Sequence, residues 1–197
     1  MTEEILQQDN QQNKQKDTFL SFIWEIAKIV VISLVIVIPI RYFLIQPFFV
    51  KGQSMEPSFD DGQYLIVDEI SYRLHQPERG DVIVFKYPND PSQYYIKRII
   101  GLPGETVEIV GGGIIIYNDQ HPQGLVLDEE KYLDAVKTMG DMKITLDGSQ
   151  YFVLGDNRSA SSDSRRWGPL DKGFIVGRVW VRVWPFDKAN IFATPNY

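Results

Sequence analysis

Two cations inside an apolar stretch are the first side chains in this sequence that point to chemistry. Lys97 and Arg98 interrupt QYYIKRIIGLPGE, residues 93–105, which is otherwise typical of a β-strand. Neighbouring side chains in a strand point to opposite faces, so the two cations cannot both leave the strand on the same face. If both faces are covered, one cation lies against apolar surface. Burial lowers the pKa of a lysine, and we expect the adjacent Arg98 charge to lower it further. A neutral lysine can then act as a general base.

A serine that such a base could activate lies in VKGQSMEPSFDDG, residues 50–62. Ser54 follows a glycine-containing turn and precedes Pro57, which predicts a hydroxyl displayed on a bent backbone. A serine nucleophile needs a neighbouring base. Lowering the pKa of Lys97 from about 10.4 to about 8 costs roughly 3 kcal/mol, which a folded domain tolerates. Lys97 is therefore the candidate base for Ser54.

A third polar cluster, GDNRSASSDSRRWGPL at residues 155–170, alternates hydroxyls with charged side chains. Taken alone, this pattern fits a solvated loop that is held together by ion pairs. Beside a buried lysine, however, one of its hydroxyls can orient the amine. The three clusters together therefore favour catalysis more than any one of them does alone.

The composition excludes several other kinds of site. The chain of 197 residues contains no cysteine, which removes disulfides, thiol nucleophiles and thiolate metal sites. Its two histidines, His75 and His121, lie beside turn-forming residues and cannot build a multi-histidine metal centre. A net charge of −6 argues against nucleic acid as a partner. With 44% hydrophobic and 23% charged residues, the chain is typical of a globular protein.

The N-terminal segment predicts a membrane anchor. Residues 1–18 are polar and rich in Gln and Asn, which indicates a tail without regular structure. Residues 19–41 are strongly apolar, and we interpret them as an uncleaved single-pass transmembrane helix. A cleavable signal peptide is disfavoured because the preceding residues are net acidic and no A-x-A site follows. A buried helix is the other alternative. The distribution of Lys and Arg favours a cytoplasmic N-terminus, with residues 42–197 extracytoplasmic.

The rest of the sequence predicts a mainly β fold. Short β-prone runs recur between Gly, Pro and Asp turn signals, which is typical of antiparallel β-sheets in an open, barrel-like domain. The glycines at 111–113 indicate a hairpin turn, and RGD at 79–81 indicates a turn before a strand. The segment LDEEKYLDAVKTMG, residues 127–140, fits a helix and an extended loop equally well.

Four motifs, in this order, resemble those of bacterial type I signal peptidases (leader peptidases), which are serine–lysine peptidases. They are QSMEPS, RGDVIVFKYP, YYIKRIIGLPGE and GDNRSASSDSRRWG, and the resemblance extends from the anchor to the C-terminus. It implies a membrane-tethered domain of antiparallel β-sheets, with its active site close to the bilayer surface. It also implies a single-pass protein of the cell membrane or of an internal energy-transducing membrane.

The resemblance assigns roles to particular residues. Ser54 would be the nucleophile and Lys97 its general base, while the Ser161 hydroxyl would hold the lysine amine by a hydrogen bond. Asp163 and Arg165 would form a supporting ion pair. Two further residues, Asp156 and Asn157, would shape the mouth of this loop, and the substrate pockets would be formed by Phe48, Val50, Met55, Tyr95 and Ile96.

The implied reaction is the removal of N-terminal signal peptides from exported preproteins. Cleavage would follow small residues at positions −1 and −3, the A-x-A pattern, through acyl transfer to Ser54. Preproteins and membrane lipid would be the partners, and no metal or organic cofactor is implied. Two positions depart from the family pattern: Ser58 stands where threonine is usual, and Gly52 stands where some members have a serine that helps the oxyanion hole. A second oxyanion donor is therefore unassigned.

Two other functions fit parts of the sequence. A serine–lysine self-cleaving repressor would share the chemistry, but it would have a DNA-binding domain in place of the apolar anchor. A membrane-anchored β-rich binding or scaffold protein would need no catalytic dyad, and Ser54 and Lys97 would then be replaceable.

Overall fold

The structure is a computed structural model, and it describes residues 21–38, 45–130, 132–134 and 137–192. The chain divides into two units, Met1–Leu44 and Ile45–Tyr197. The predicted tail, residues 1–18, and both ends of the predicted anchor lie outside the described residues.

The described part of the first unit is one helix, α1 (Ser21–Ile38). Its 18 residues are long and apolar enough to cross a membrane, and most of its large apolar side chains are exposed. At 1.5 Å per residue the helix is roughly 27 Å long, close to the thickness of a bilayer's hydrocarbon core. The Lys28 amine lies 5.7 Å from the centroid of the Trp24 ring on the preceding turn.

The described part of the second unit is built from short strands. In chain order these are β1 (Ile45–Phe49), β2 (Tyr64–Asp68), β3 (Val82–Tyr87), β4 (Asp90–Gly101), β5 (Thr106–Val110), β6 (Gly113–Tyr117), β7 (Leu125–Val126), β8 (Met142–Thr145), β9 (Gln150–Leu154), β10 (Leu170–Asp171), β11 (Ile175–Trp184) and β12 (Asn190–Ile191). Two short helices, α2 (Ser71–Leu74) and α3 (Ser164–Trp167), and two 3-10 turns, Lys172–Phe174 and Phe186–Lys188, connect them.

The strands form two antiparallel sheets, neither of which closes. The larger has the order β1-β2-β11-β3-β4-β9-β10, with β12 paired to β11, and the smaller has the order β7-β6-β5-β8. The predicted mainly β, antiparallel, open fold is confirmed. The described strands form two open sheets and not a closed barrel.

Strand β4 connects the surface of this unit to its core. Its first half is exposed, whereas residues 97–101 are buried, because there β3 pairs on one side and β9 on the other. Arg98, for example, is opposite Val82 in β3 and Leu154 in β9. Lys97 therefore lies where the strand enters the interior, and this position creates the candidate site.

The turn predictions are confirmed, and the open question about residues 127–140 is answered. Gly111 and Gly112 have φ values of 60° and 89° in the β5–β6 hairpin, a conformation that favours glycine. Within 127–140, the described residues contain turns and bends but no helix. Leu133 is nevertheless buried, so the segment packs against the sheets although it is irregular.

Candidate active site

Strand β4 brings the Lys97 side chain to the Ser54 hydroxyl. Lys97 is only 3% exposed, and its amine donates a hydrogen bond of 2.7 Å to Ser54 Oγ. A second bond, also 2.7 Å, goes to the carbonyl oxygen of Ile96. The amine lies 5.5 Å from the centroid of the Tyr95 ring, so apolar and aromatic groups occupy much of its surroundings. The two residues are 43 positions apart in sequence, and only the sheet brings them together.

Burial is the dominant influence on the lysine amine. It lowers the pKa of Lys97 from its ordinary value to about 8, while the Asp163 and Asp156 carboxylates act in the opposite direction. At mildly alkaline pH much of this amine is therefore neutral, with a lone pair that can accept the proton of Ser54. An exposed lysine, with a pKa of about 10.4, would remain almost fully protonated under the same conditions.

Arg98 does not lower the pKa of Lys97, contrary to the sequence prediction. It projects on the opposite face of β4, where its guanidinium forms two hydrogen bonds to Asp156, of 2.9 Å and 2.6 Å. It also donates to the carbonyl oxygen of Gly80. The Asp156 carboxylate compensates the charge of Arg98. This carboxylate acts to raise the pKa of Lys97. Ser58, which stands where threonine is usual, accepts a hydrogen bond of 3.3 Å from the Arg98 guanidinium.

The loop between β1 and β2 presents Ser54 at the sheet edge. It is fixed by local contacts: Gly52, at φ 88°, donates its N–H to Asp61 Oδ1 at 2.6 Å, and Phe59 is fully buried. The Ser54 carbonyl oxygen accepts a hydrogen bond of 3.1 Å from the N–H of Asn157. Within the part of the chain that the structure describes, the Ser54 N–H makes no hydrogen bond, so it is free to contact an oxyanion.

A glycine allows the third cluster to approach this loop closely. A Cβ atom at Gly155 would collide with Ser161 Oγ and with the Ser54 carbonyl oxygen. Only glycine therefore permits the observed spacing between the two loops. The sequence motif contained this glycine, but its steric role was visible only once the two loops were placed together.

The predicted ion pair of the third cluster is present. The guanidinium of Arg165 donates two bonds of 2.8 Å to the carboxylate of Asp163, which is fully buried. Burial acts most strongly and would raise the pKa of Asp163, but Arg165, the neighbouring Ser161 hydroxyl and the Gly155 N–H together hold that pKa below its ordinary value. Asp163 also accepts hydrogen bonds from the backbone N–H groups of Gly155 and Arg165. These bonds fix the loop of the third cluster.

Ser161 is placed differently from expectation. The Ser161 hydroxyl is buried beside Asp163 and makes no hydrogen bond of standard geometry among the described residues. The expected bond from Lys97 to Ser161 is not formed, because the amine donates to Ser54 and to Ile96. Asp156 is buried against Arg98 and lines a cavity together with Asn157, whose N–H donates to the Ser54 carbonyl oxygen.

A groove of about 610 Å³ leads to Ser54 and Lys97. Four of the five residues predicted to form the substrate pockets line it: Phe48, Val50, Tyr95 and Ile96. Met55 does not, because its side chain is only 1% exposed and belongs to the core with Phe59 and Leu65. The groove also includes side chains that sequence reasoning missed, among them Leu65, Val84, Tyr94 and Ser162. Alternation along β2 could have marked Leu65 as inward-facing, but not as a groove residue.

The family of this chain follows from comparison with known sequences. The family described as "Signal peptidase, peptidase S26" matches residues 23–184, a range that includes Ser54, Lys97 and Asp163. The chain belongs to this family. It is therefore a peptidase by family, which favours the peptidase interpretation over a binding or scaffold protein.

Two sequence relatives of this S26 peptidase agree with that assignment, and one solved structure is similar to part of the chain. A probable signal peptidase I-2 of Synechocystis sp. is 35% identical over 97% of this chain and 86% of its own length. Signal peptidase IB of Staphylococcus aureus is 32% identical over 92% of this chain and 97% of its own. A crystal structure of a signal peptidase I from Enterococcus faecalis is 31% identical and aligns with 53% of this chain and 97% of its own, with a TM-score of 0.44.

The described residues offer no candidate metal centre. Within residues 21–38, 45–130, 132–134 and 137–192, no three His, Asp or Glu side chains converge on one point. The carboxylates nearest the site are paired with arginines, as the Asp156–Arg98 and Asp163–Arg165 bonds show.

The buried amine makes the stability of the protein depend on pH in a specific direction. The pKa of Lys97 is about 8 in the folded chain and about 10.4 when unfolded. Below about pH 8 both states bind the proton, and the full cost of burying the charge is present. Between these two pKa values only the unfolded state binds it, so stability rises with pH. We expect the wild type to gain about 3 kcal/mol in free energy of unfolding relative to Lys97→Met across this window.

Urea unfolding of the full chain in detergent, followed by circular dichroism from about pH 7 to about pH 10.5, measures this difference. Lys86→Met is the matched control, because Lys86 is exposed on β3. Its difference from the wild type should not change across the same range. A difference between wild type and Lys97→Met that is constant with pH would show that the lysine pKa is not lowered by folding.

Proposed function

We propose that this S26 peptidase is a membrane-anchored serine endopeptidase that removes signal peptides from exported preproteins, with Ser54 as nucleophile and Lys97 as general base. The observation that carries the proposal is the hydrogen bond of 2.7 Å between the Lys97 amine and Ser54 Oγ, at the end of an apolar groove. The names of its relatives, which are signal peptidases, support the substrate class.

The reaction begins with proton transfer from Ser54 to neutral Lys97 as Ser54 Oγ attacks the scissile carbonyl carbon. The oxyanion is stabilised by the free N–H of Ser54. The protonated lysine then gives its proton to the leaving amine, the peptide C–N bond breaks, and an acyl-enzyme remains. Lys97, neutral again, accepts a proton from water as the water attacks the ester carbonyl, and returns that proton to Ser54 as the signal peptide leaves.

Ser161 and the Asp163–Arg165 pair support this cycle. The Ser161 hydroxyl is buried beside Asp163 and forms no hydrogen bond of standard geometry with the described residues. We propose that it accepts a hydrogen bond from Lys97 when Ser54 is acylated and no longer accepts one. Asp163, fixed by Arg165, holds the loop of the third cluster in place for that exchange.

The shape of the groove supports selection of small side chains. In an extended substrate, residues −1 and −3 point to the same face, because strand side chains alternate. Aromatic and branched side chains, including Phe48, Tyr94 and Ile96, occupy the groove walls, and the rings of Phe48 and Tyr94 are 5.4 Å apart. We propose that the spaces between these walls accept alanine at positions −1 and −3 and exclude larger residues.

Cleavage of a preprotein tests this function. We expect the purified full chain in detergent to cut a preprotein whose signal ends in A-x-A after the −1 alanine, as located by mass spectrometry. Ser54→Ala and Lys97→Ala should each lower kcat by about 10³-fold or more, because each removes a group that acts in the bond-breaking step. Lys86→Ala, on the exposed face of β3, should keep wild-type activity.

Equal cleavage by wild type and Lys97→Ala, with both folded by circular dichroism, would contradict the serine–lysine mechanism. Absence of cleavage by folded wild type, in lipid as well as in detergent, would contradict the proposed function itself.

We propose that α1 anchors the chain in the membrane with a cytoplasmic N-terminus, and that one edge of the β unit contacts lipid. Phe48 and Phe49 face opposite sides of β1, so they do not act as one bilayer-facing pair. Phe48 lines the groove, whereas Phe49 is exposed and lies 4.9 Å, centroid to centroid, from exposed Tyr64. Trp184, opposite Tyr64 in the next strand, and Phe186 continue this exposed aromatic row. Aromatic side chains of this kind favour the membrane interface.

Lipid dependence of cleavage tests the aromatic row. We expect the ratio of cleavage rates in phospholipid vesicles and in detergent to fall at least about twofold in Phe49→Ser combined with Phe186→Ser, because apolar area that contacts lipid is lost. Leu74→Ser is the control, since Leu74 is about as exposed as Phe186 but lies on α2, outside the row. An unchanged ratio in the double variant would show that the row does not contact lipid.

A further inference from the structure

A second cavity, of about 690 Å³, is lined in part by the loop that carries Ser54, although Ser54 itself lines only the apolar groove. The cavity lining includes Glu56 and Pro57, two and three residues after Ser54, whereas residues 48–51, which precede Ser54, line the groove. The third cluster, residues 155–170, also contributes side chains to both the cavity and the groove. Ser161 lines the cavity and its neighbour Ser162 lines the groove. The loop that carries Ser54 and the third cluster therefore each contribute to both spaces.

A backbone contact ties this cavity to the nucleophile. Asn157 lines the cavity, and its N–H donates to the carbonyl oxygen of Ser54 at 3.1 Å. An extended peptide advances about 3.3 Å per residue. A substrate that occupies the groove up to its scissile bond at Ser54 therefore continues, within the next few residues, into the cavity.

The charges around the cavity are not balanced. Arg158 and Arg165 line it, but their guanidinium groups are paired with Glu129 and Asp163. Asp156, another lining residue, is likewise paired, with Arg98. These three lining residues therefore contribute little net charge.

Two lining cations have no such partner. Lys137 and Arg166 are exposed, and neither forms an ion pair or a side-chain hydrogen bond with any residue that the structure describes. The stem of Lys137 is placed close to Gly112, where a Cβ atom would approach the lysine Cβ to within 3.1 Å. Arg166 is held on α3, whose N-terminus Asp163 caps. Glu56 is the one lining carboxylate without a paired arginine among the described residues, so the cavity carries an excess of positive charge.

We propose that this cavity binds the first residues of the mature protein after the cleavage site and favours acidic side chains there. The inference rests on the proposed function, since it assumes that a preprotein is cut at Ser54. Lys137 and Arg166 attract a carboxylate at the second to fourth residue after the cut, and they repel a lysine at the same positions. The apolar groove selects the signal peptide, and the cationic cavity selects among the mature sequences that follow it.

The test compares two substrates that share one signal sequence ending in A-x-A. One carries Asp and the other Lys at the second to fourth positions after the cut, and kcat/KM is measured with the full chain in detergent at low salt. We expect the acidic substrate to be cut with a kcat/KM about threefold to tenfold higher, as partly exposed charge pairs of this kind allow. Added salt should reduce the ratio, because it screens the interaction.

Charge reversal identifies the residues responsible. Lys137→Glu and Arg166→Glu should each abolish or invert the preference for the acidic substrate, and Glu56→Gln should increase it. Lys172→Glu, which makes the same change of charge at a residue that lines neither space, should leave the ratio unchanged.

Equal kcat/KM for the two substrates in the wild type would overturn the inference while leaving the proposed function intact. A preference that survives in both Lys137→Glu and Arg166→Glu would overturn it as well, since the cavity would not be its source. If the wild type cut neither substrate, the proposed function would fail and this inference with it.

Discussion

The burial of one amine is the constraint on which the rest of the proposed active site depends. Water stabilises an ammonium strongly, so a lysine in the interior either remains charged at a cost or becomes neutral. In this protein the β4 strand carries Lys97 into the interior at the point where it is paired by β3 and β9. The groups nearest its amine are a hydroxyl, a carbonyl oxygen and an aromatic ring, none of which is charged. The neutral form that a general base requires is therefore favoured by the surroundings.

The neighbouring charges are arranged so that they do not undo this effect. Two carboxylates lie close enough to raise the pKa of Lys97, yet burial still dominates. Asp156 is paired with Arg98 on the far face of the strand, and Asp163 is paired with Arg165 in the loop. The Asp156–Arg98 pair connects the third cluster to strand β4, and Arg165 also donates to the carbonyl oxygens of Arg158 and Met139. The same side chains that compensate the carboxylates therefore hold the loops around Ser54. The two adjacent cations of β4 thus have different roles. Lys97 supplies the buried amine, whereas Arg98 forms a structural ion pair with Asp156.

The sequence predicted the features that neighbouring residues determine. It did not predict the features that depend on which distant segments meet in the fold. Strand alternation identified the unusual position of Lys97, and turn residues before Pro57 identified Ser54, because both signals are local. The partner of Arg98 and the burial of Met55 were not predictable in the same way, since both depend on which strands and loops meet in the fold. The family motifs named Ser161, but only the folded chain shows that its hydroxyl is without a hydrogen bond of standard geometry. Residues 127–140 fitted a helix and a loop equally well by sequence, because the contacts that fix the described part of this segment, such as the Glu129–Arg158 ion pair, join residues distant in the chain.

The pH dependence of kcat/KM tests the central claim most directly. This ratio reports the ionisation of groups in the free enzyme, so it follows the protonation of Lys97 before substrate binds. With a preprotein peptide that has no titrating group near the cleavage site, kcat/KM should rise about tenfold per pH unit at low pH and level off above about pH 8, the pKa expected for Lys97. A rate that does not change through this range, or one that is half-maximal near the ordinary lysine pKa of about 10.4, would contradict a buried, neutral Lys97 as the base.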